Sequence, residues 1–285
     1  MKIIVTGGNG QLGQVFGAME DESAHTFILV GRDQLDITDR ESIARFLDAN
    51  PGDCIMNAAA YTAVDKAEED VDMANLVNGT AAGILSRACA DRNMDFIHFS
   101  TDYVFDGKGD TPYTEEDPVN PQGMYGASKL LGEQQVMESN PAATILRVSW
   151  LVSDKGNNFI KTMVRLGRER DELTIVDDQV ASPTNGYDLA QMAIRIAEKK
   201  AEGNHKLSGI FHFTHSGECS WRDFAEYIFT YLEIDCRALS TTTAAYGAPA
   251  PRPLYSKLST AKLESVLNWQ PRDWKEGMSD LLMKL

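Results

Sequence analysis

The chain has 285 residues, 43% of them hydrophobic, and a formal net charge of -15. That length allows one large or two small domains with a real core, and the acidic balance repels phosphate backbones, which excludes nucleic acid as the expected partner. No apolar run is long enough to span a bilayer, and "MKIIVTG" enters a strand-like run with no hydrophobic leader, so a cytoplasmic protein without membrane association is expected.

In chain order, "KIIVTG", "TFILVG", "DCIMNAA", "DFIHFS" and "ATILRVS" read as strands, each separated from the next by a stretch long enough for a helix. Strands alternating with helices imply parallel pairing and right-handed crossovers. The expected fold class is α/β, a Rossmann-type doubly wound parallel sheet with a smaller mixed α/β substrate-binding domain. "DRESIARFLDAN" carries Ile43, Phe46 and Leu47 at helical spacing behind an Asp39 cap, and "ANLVNGTAAGILSRACADRN" reads as a longer helix. After Trp150 the pattern loosens into a helix at "GNNFIKTMVRLGRER", a strand and loop at "ELTIVDDQVASPTNG", a helix at "YDLAQMAIRIAEKK" and a late strand at "GIFHFTHS". The last seventy or so residues hold "SWRDFAEYIFTYL", the Pro-rich "YGAPAPRPLYS" and "TAKLESVL", a mixture suited to a cap. The expected division is a dinucleotide-binding domain at 1–150, with parts of 178–214 returning to it, and an interleaved substrate-binding domain at 151–177 and 215–285.

Between the first strand and its helix, "VTGGNGQLGQVF" spaces Gly7, Gly10 and Gly13 as G-x-x-G-x-x-G. Glycines allow the tight turn and the close backbone approach that bring pyrophosphate oxygens to the free N–H groups of a helix N-terminus. Gly7, Asn9, Gly10, Gln11, Leu12 and Gly13 are therefore the candidate pyrophosphate-binding set; a plain strand-to-helix turn is the alternative. At the tip of the second strand Arg32 suits a 2'-phosphate, which favours NADPH with NADH possible, while Asp36 and Ile37 follow at the adenine. Ala58, Ala59, Ala60 and Tyr61 leave the third strand on small side chains that let a cofactor cross the strand ends.

The fourth strand exits on "STDY", and "YGASK" places Tyr125 and Lys129 at i and i+4, on one helix face. A nearby ammonium favours phenolate, so the pair is expected to lower the phenol's pKa and to make Tyr125 a proton donor to a carbonyl oxygen. An amphipathic surface pair is the bland alternative.

The glycine loop, "STDYVF" and Tyr125-x-x-x-Lys129 together resemble the extended short-chain dehydrogenase/reductase family. More closely, "GGNGQLG", "NAAAYTAVDKAE", "STDYVFDG", "YGASKLLGE", "RVSW", "GNNF", "DDQVASPT" and "RPLYSKLST" resemble its dTDP-4-dehydrorhamnose reductase group. The resemblance implies Thr101, Tyr125 and Lys129 as catalytic residues, with Tyr125 and Lys129 also on the cofactor. It implies Thr101, Asp102, Tyr103, Trp150 and Arg252 on a nucleotide-sugar substrate, and NADPH or NADH as hydride donor. Members bridged by magnesium use a carboxylate near the start of the first helix; here none appears before Glu20, so no metal is expected, and the protein is expected to be a monomer or homodimer. The rival readings are an epimerase or dehydratase of the same superfamily and a non-catalytic subunit like the methionine adenosyltransferase regulatory subunit.

Overall fold

Isoleucine and valine dominate β1 (Lys2–Thr6), which is buried along nearly its whole length, as a strand covered on both faces must be. The structure is a computed structural model and describes residues 1–285, apart from the side chain of Glu22. β1 is followed by β2 (Thr26–Val30), β3 (Cys54–Asn57), β4 (Asp95–Thr101), β5 (Thr144–Val148) and β6 (Gly209–Phe213). These form one six-stranded sheet in the order β6-β5-β4-β3-β1-β2, with every pairing parallel. All carboxyl ends therefore share one edge, and the winding reverses between β1 and β3, where the crevice of a doubly wound sheet opens.

The longer helices are α1 (Gln11–Ala18), α2 (Arg40–Ala49), α3 (Ala81–Ala90), α4 (Met124–Ser139), α5 (Phe159–Glu169), α6 (Gly186–Ala201), α7 (Trp221–Tyr231), α8 (Ala261–Leu267) and α9 (Trp274–Leu282). Alternate strand residues divide between two cores, as the two-residue period of a strand requires. Ile3, Val5, Met56, Ile97 and Leu146 pack with Val15 and Phe16 of α1 and Leu189, Ala193 and Ile196 of α6. Ile4, Ile55, Phe96 and Ile145 pack on the other face with Ile43 and Leu47 of α2, Leu85 of α3 and Val136 of α4. The Asp39 cap is as expected, its side chain accepting from the Glu41 amide.

The long helix expected over "ANLVNGTAAGILSRACADRN" is instead interrupted by a π-helical stretch, Asn75–Thr80, ahead of α3. The stretch packs closely on α4: a Cβ on Gly132 would lie 2.1 Å from the Asn78 carbonyl. The wide turn aims the Asn78 side chain at the Tyr61 loop, accepting from its amide at 2.8 Å and donating to its carbonyl at 3.0 Å.

After β5 the chain leaves the main sheet, and it returns with α6 and β6. A third core joins Ile160 and Met163 of α5, Phe224 and Ile228 of α7, and Met278 and Leu281 of α9. Over this core Glu172–Val176 pairs in parallel with Arg237–Thr241, a strand the sequence reading did not anticipate because it is largely exposed and lacks an apolar run. Among the described residues no helix is long and apolar enough to cross a membrane.

Candidate active site

A cleft of about 1010 Å³ lies over the carboxyl ends of β1, β3, β4 and β5. Its wall includes every residue singled out from the sequence except Gly13 and Arg252. Gly13 sits behind the wall. A Cβ there would stand 2.3 Å from the Gly7 carbonyl, so this glycine lets α1 press against the loop. Gly7 has φ +67, and a Cβ on it would come within 2.7 Å of the Ala58 carbonyl. Both positions need glycine for space, and Gly7 for conformation as well. Gly10 caps α1 without any side-chain hydrogen bond, and the first turn holds no acidic residue. The helix thus presents free N–H groups and its positive end to the cleft, a donor set that fits a pyrophosphate.

At the far end, Arg32 is 73% exposed and its Nε lies 3.5 Å from Asp36. Asp36 is fastened by the Thr38 hydroxyl (2.6 Å) and amide (2.9 Å), bonds that hold its carboxyl below the usual range. The exposed donor at this lip is therefore the arginine, with Ile37 and Leu35 as apolar wall.

At the reactive end, β4 delivers Thr101 and a short 3-10 turn delivers Asp102 and Tyr103, while the first two turns of α4 carry Tyr125 and Lys129. A Cβ on Gly126 would lie 2.2 Å from the Tyr103 carbonyl, so α4 docks tightly on that turn. The Tyr125 ring meets the Tyr103 ring edge to face at 5.5 Å. The Thr101 hydroxyl donates to Asp102 Oδ1 at 3.0 Å and accepts from the Tyr103 amide. Asp102 is buried, its Oδ2 has no partner, and burial raises its carboxyl to about 6. An orphaned carboxylate oxygen on a cleft wall is an acceptor waiting for a donor.

The expectation that Lys129 makes Tyr125 more acidic is corrected here. Burial pushes the Tyr125 phenol up to about 12, the Asp102 carboxylate adds to the rise, and only the Thr101 hydroxyl opposes it. Lys129 is buried, and its ammonium is engaged away from the phenol. It donates to the Phe99 carbonyl at 2.6 Å and lies 3.4 Å from His98 Nε2. Burial brings Lys129 down to about 8, with Glu133 resisting.

Trp150, at φ 45, holds a left-handed backbone conformation that costs a bulky residue energy, and it lines the cleft. Its ring stacks on Trp221 with centroids 3.5 Å apart, making a flat aromatic platform. Trp221 escaped the sequence reading; it is the first residue of α7, behind a Ser220–Asp223 capping box, and nothing local ties it to a residue 71 positions earlier. Gln11 closes the seam by donating to the Leu151 carbonyl at 3.1 Å. Arg252, expected on the substrate, stands outside the cleft wall, clasped to both oxygens of Asp65 at 2.9 Å.

A parallel sheet with a glycine cradle at its first turn and a Tyr–Lys pair on the same cleft defines a nicotinamide-dependent oxidoreductase of the short-chain dehydrogenase/reductase type. Comparison with known sequences narrows this. A family model described as the RmlD substrate binding domain matches residues 1–285, and the chain belongs to that family. A dTDP-4-dehydrorhamnose reductase of Sinorhizobium fredii is 41% identical over 291 residues, covering 100% of this chain and 98% of that protein. Among solved structures, a dTDP-4-dehydrorhamnose reductase of Clostridium acetobutylicum superposes with a TM-score of 0.94 at 40% identity, covering 100% of both chains. One from Bacillus anthracis, in complex with NADP, gives a TM-score of 0.93 at 36% identity, covering 100% of this chain and 99% of that one.

Proposed function

We propose that this protein reduces the C4 ketone of dTDP-4-dehydro-L-rhamnose to give dTDP-L-rhamnose, with NADPH as preferred donor and NADH possible. The observation that carries the reading is the convergence of Thr101, Tyr125 and Lys129 with the glycine cradle on a single cleft. The names of the relatives and the NADP in the Bacillus anthracis structure support it.

Gly7, Gly10 and the N-terminus of α1 would hold the pyrophosphate, and Arg32 the 2'-phosphate. When bound, the reduced nicotinamide supplies the hydride. The protein supplies everything else. A phenol near 12 is protonated throughout the neutral range, the state a reduction needs, so Tyr125 gives its proton to the C4 oxygen. The Thr101 hydroxyl turns from Asp102 toward that same oxygen, and the two donors stabilise the charge developing there. Asp102 Oδ2 accepts from a sugar hydroxyl, which satisfies the orphaned atom. Trp150 on Trp221 forms the apolar floor for the sugar ring, and Tyr103 flanks it. Residues 151–177 and 215–285 form the part that receives the sugar nucleotide. Arg252 would meet the diphosphate by exchanging the Asp65 carboxylate for it. We further place the enzyme in the cytoplasm, as a monomer or homodimer.

The test is turnover with purified protein. One mole of cofactor should be oxidised per mole of dTDP-L-rhamnose formed, and Tyr125→Phe should lose roughly two to four powers of ten in kcat with little change in KM. Absence of cofactor oxidation with either NADPH or NADH would overturn the reading. Product formed without net oxidation would indicate an epimerase.

A further inference from the structure

Beneath the cleft, three adjacent strands carry polar residues in one register row. Thr6 of β1 pairs with Asn57 of β3, and Asn57 with His98 of β4. All three are buried, His98 completely, and they lie on the sheet face covered by α4. Lys129 of α4 closes the row. No part of the proposed chemistry uses Thr6, Asn57 or His98, yet buried polar side chains in a sheet interior are costly unless their hydrogen bonds are complete.

With the Asn57 amide oxygen facing Thr6, the proton count along the row runs in one direction and uses every contact. The Ala59 amide donates to Thr6 Oγ1 at 3.3 Å, leaving the Thr6 proton for Asn57 Oδ1 at 2.6 Å. Asn57 Oδ1 thereby faces Thr6, and its amide nitrogen stands 3.0 Å from His98 Nδ1. Nδ1 must then accept. An imidazole buried this deeply, stacked on Phe96 and next to Lys129, stays neutral and carries one proton. That proton is on Nε2, which stands 3.4 Å from Lys129 Nζ. An N–H pointed at an amine favours the form that has a lone pair.

We propose that His98 is a positioning residue for Lys129: the chain Ala59–Thr6–Asn57–His98 donates in one direction and ends by presenting an N–H to Nζ, which favours the uncharged amine. Lys129 in turn donates to the Phe99 carbonyl, so its nitrogen is held from two sides and aimed at the floor of the cleft. The other ionisable groups around it are Tyr125 one turn earlier and Glu133 one turn later on α4. Glu133 is itself neutralised by Arg147 at 2.7 Å and bonded to Ser100. From β4 only His98 faces it, and from the turn after β4 Asp102 acts on Tyr125. Burial lowers the proton affinity of Lys129 and Glu133 raises it, and the His98 N–H adds to the lowering through its direct contact with Nζ. The charge on Nζ in turn sets the field at the reactive end of the cleft, where Lys129 and Tyr125 stand one turn apart on α4.

This inference rests on the reductase reading for its kinetic arm but not for its spectroscopic one. In protein labelled with 15N-histidine, the His98 ring should show a protonated Nε2 and an unprotonated Nδ1 at neutral pH. In Thr6→Val, which keeps shape but frees the Asn57 amide to turn over, the proton should move to Nδ1. In kinetics, the pH limb of kcat that reports Lys129 should move up by about one pH unit in His98→Leu, the order expected for losing one buried hydrogen bond. His98→Gln, whose amide nitrogen sits as far from Cα as Nε2, should return the limb toward its original position. A wild-type ring protonated at Nδ1, or at both nitrogens, overturns the proposal even if His98→Leu fails to fold. An unmoved limb in a folded, active His98→Leu also overturns it. A wild-type enzyme that oxidises no cofactor at all removes the reductase reading, while the ring spectrum still decides the hydrogen-bond chain.

Discussion

Glu133→Gln is the substitution whose cost can be worked most directly from the structure. Glu133 and Arg147 are 2% and 3% exposed at their side chains, and they form a bidentate pair with Nε to Oε1 at 2.9 Å and Nη2 to Oε2 at 2.7 Å. Ser100 donates to the same carboxylate at 2.5 Å. Gln keeps the volume but removes the charge, and its amide nitrogen cannot accept from Arg147. The guanidinium then keeps one bond to the Gln oxygen, the Phe105 ring at 5.0 Å and the His212 ring 3.5 Å from Nη1, and has no countercharge. Burial and the arginine keep His212 at about 3, so it is neutral and offers no countercharge. Breaking one half of a buried pair costs about 3–5 kcal/mol, which for a chain of this length corresponds to a fall in Tm of roughly 10 °C. Urea unfolding with an unchanged m-value is the assay. The double substitution Glu133→Gln with Arg147→Met should recover most of the loss, because no unpaired charge remains buried. A loss below about 1 kcal/mol in the single variant would refute the reasoning and mean that water reaches the pair.

Three further outcomes follow from the site. Gly13→Ala places a methyl group 2.3 Å from the Gly7 carbonyl, so the cradle must shift, and NADPH affinity in a fluorescence titration should fall about 100-fold with the far-ultraviolet spectrum unchanged. Trp221→Ala removes one face of the aromatic platform, worth about 0.5–1.5 kcal/mol, so KM for the sugar nucleotide should rise several-fold while kcat changes little. Asp102 has its folded-state pKa raised to about 6 from 3.8, so its contribution favours the fold below 3.8 and is lost as pH rises through 6. Asp102→Asn should therefore be more stable than the parent at about pH 8, by about 3 kcal/mol, and no more stable at about pH 4, while weakening substrate binding at both.

Much of this architecture is legible in the sequence because its signals are local. The five early strands are short apolar runs with helical spacing between them, and "GIFHFTHS" carries enough burial to be seen as a strand, although its place beside β5 is a matter of topology. The glycine loop is legible because the positive φ of Gly7 and the approach of Gly13 to the Gly7 carbonyl are local demands, although Gly7 also makes room for the distant Ala58 carbonyl. What stays hidden depends on partners distant in the chain. Arg237–Thr241 is a strand only because Glu172–Val176 lies beside it, and its mostly exposed side chains show no apolar period. The stack of Trp150 on Trp221, the Arg252 clasp on Asp65 and the row from Thr6 to His98 join residues brought together by register and packing. The acidity of Tyr125 is hidden for the same reason: helical spacing puts Lys129 on the same face of α4, but burial and the Asp102 carboxylate raise the phenol, and Lys129 Nζ bonds the Phe99 carbonyl instead.

The central claim is that hydride arrives at the sugar's C4 while Tyr125 and Thr101 hold the oxygen. Turnover with NADPH deuterated at the transferring position, followed by proton NMR of the product, tests it most directly. The label should appear at C4 of dTDP-L-rhamnose, in one orientation only and in proportion to the cofactor oxidised. Label at another carbon, or product carrying no label, would contradict the account.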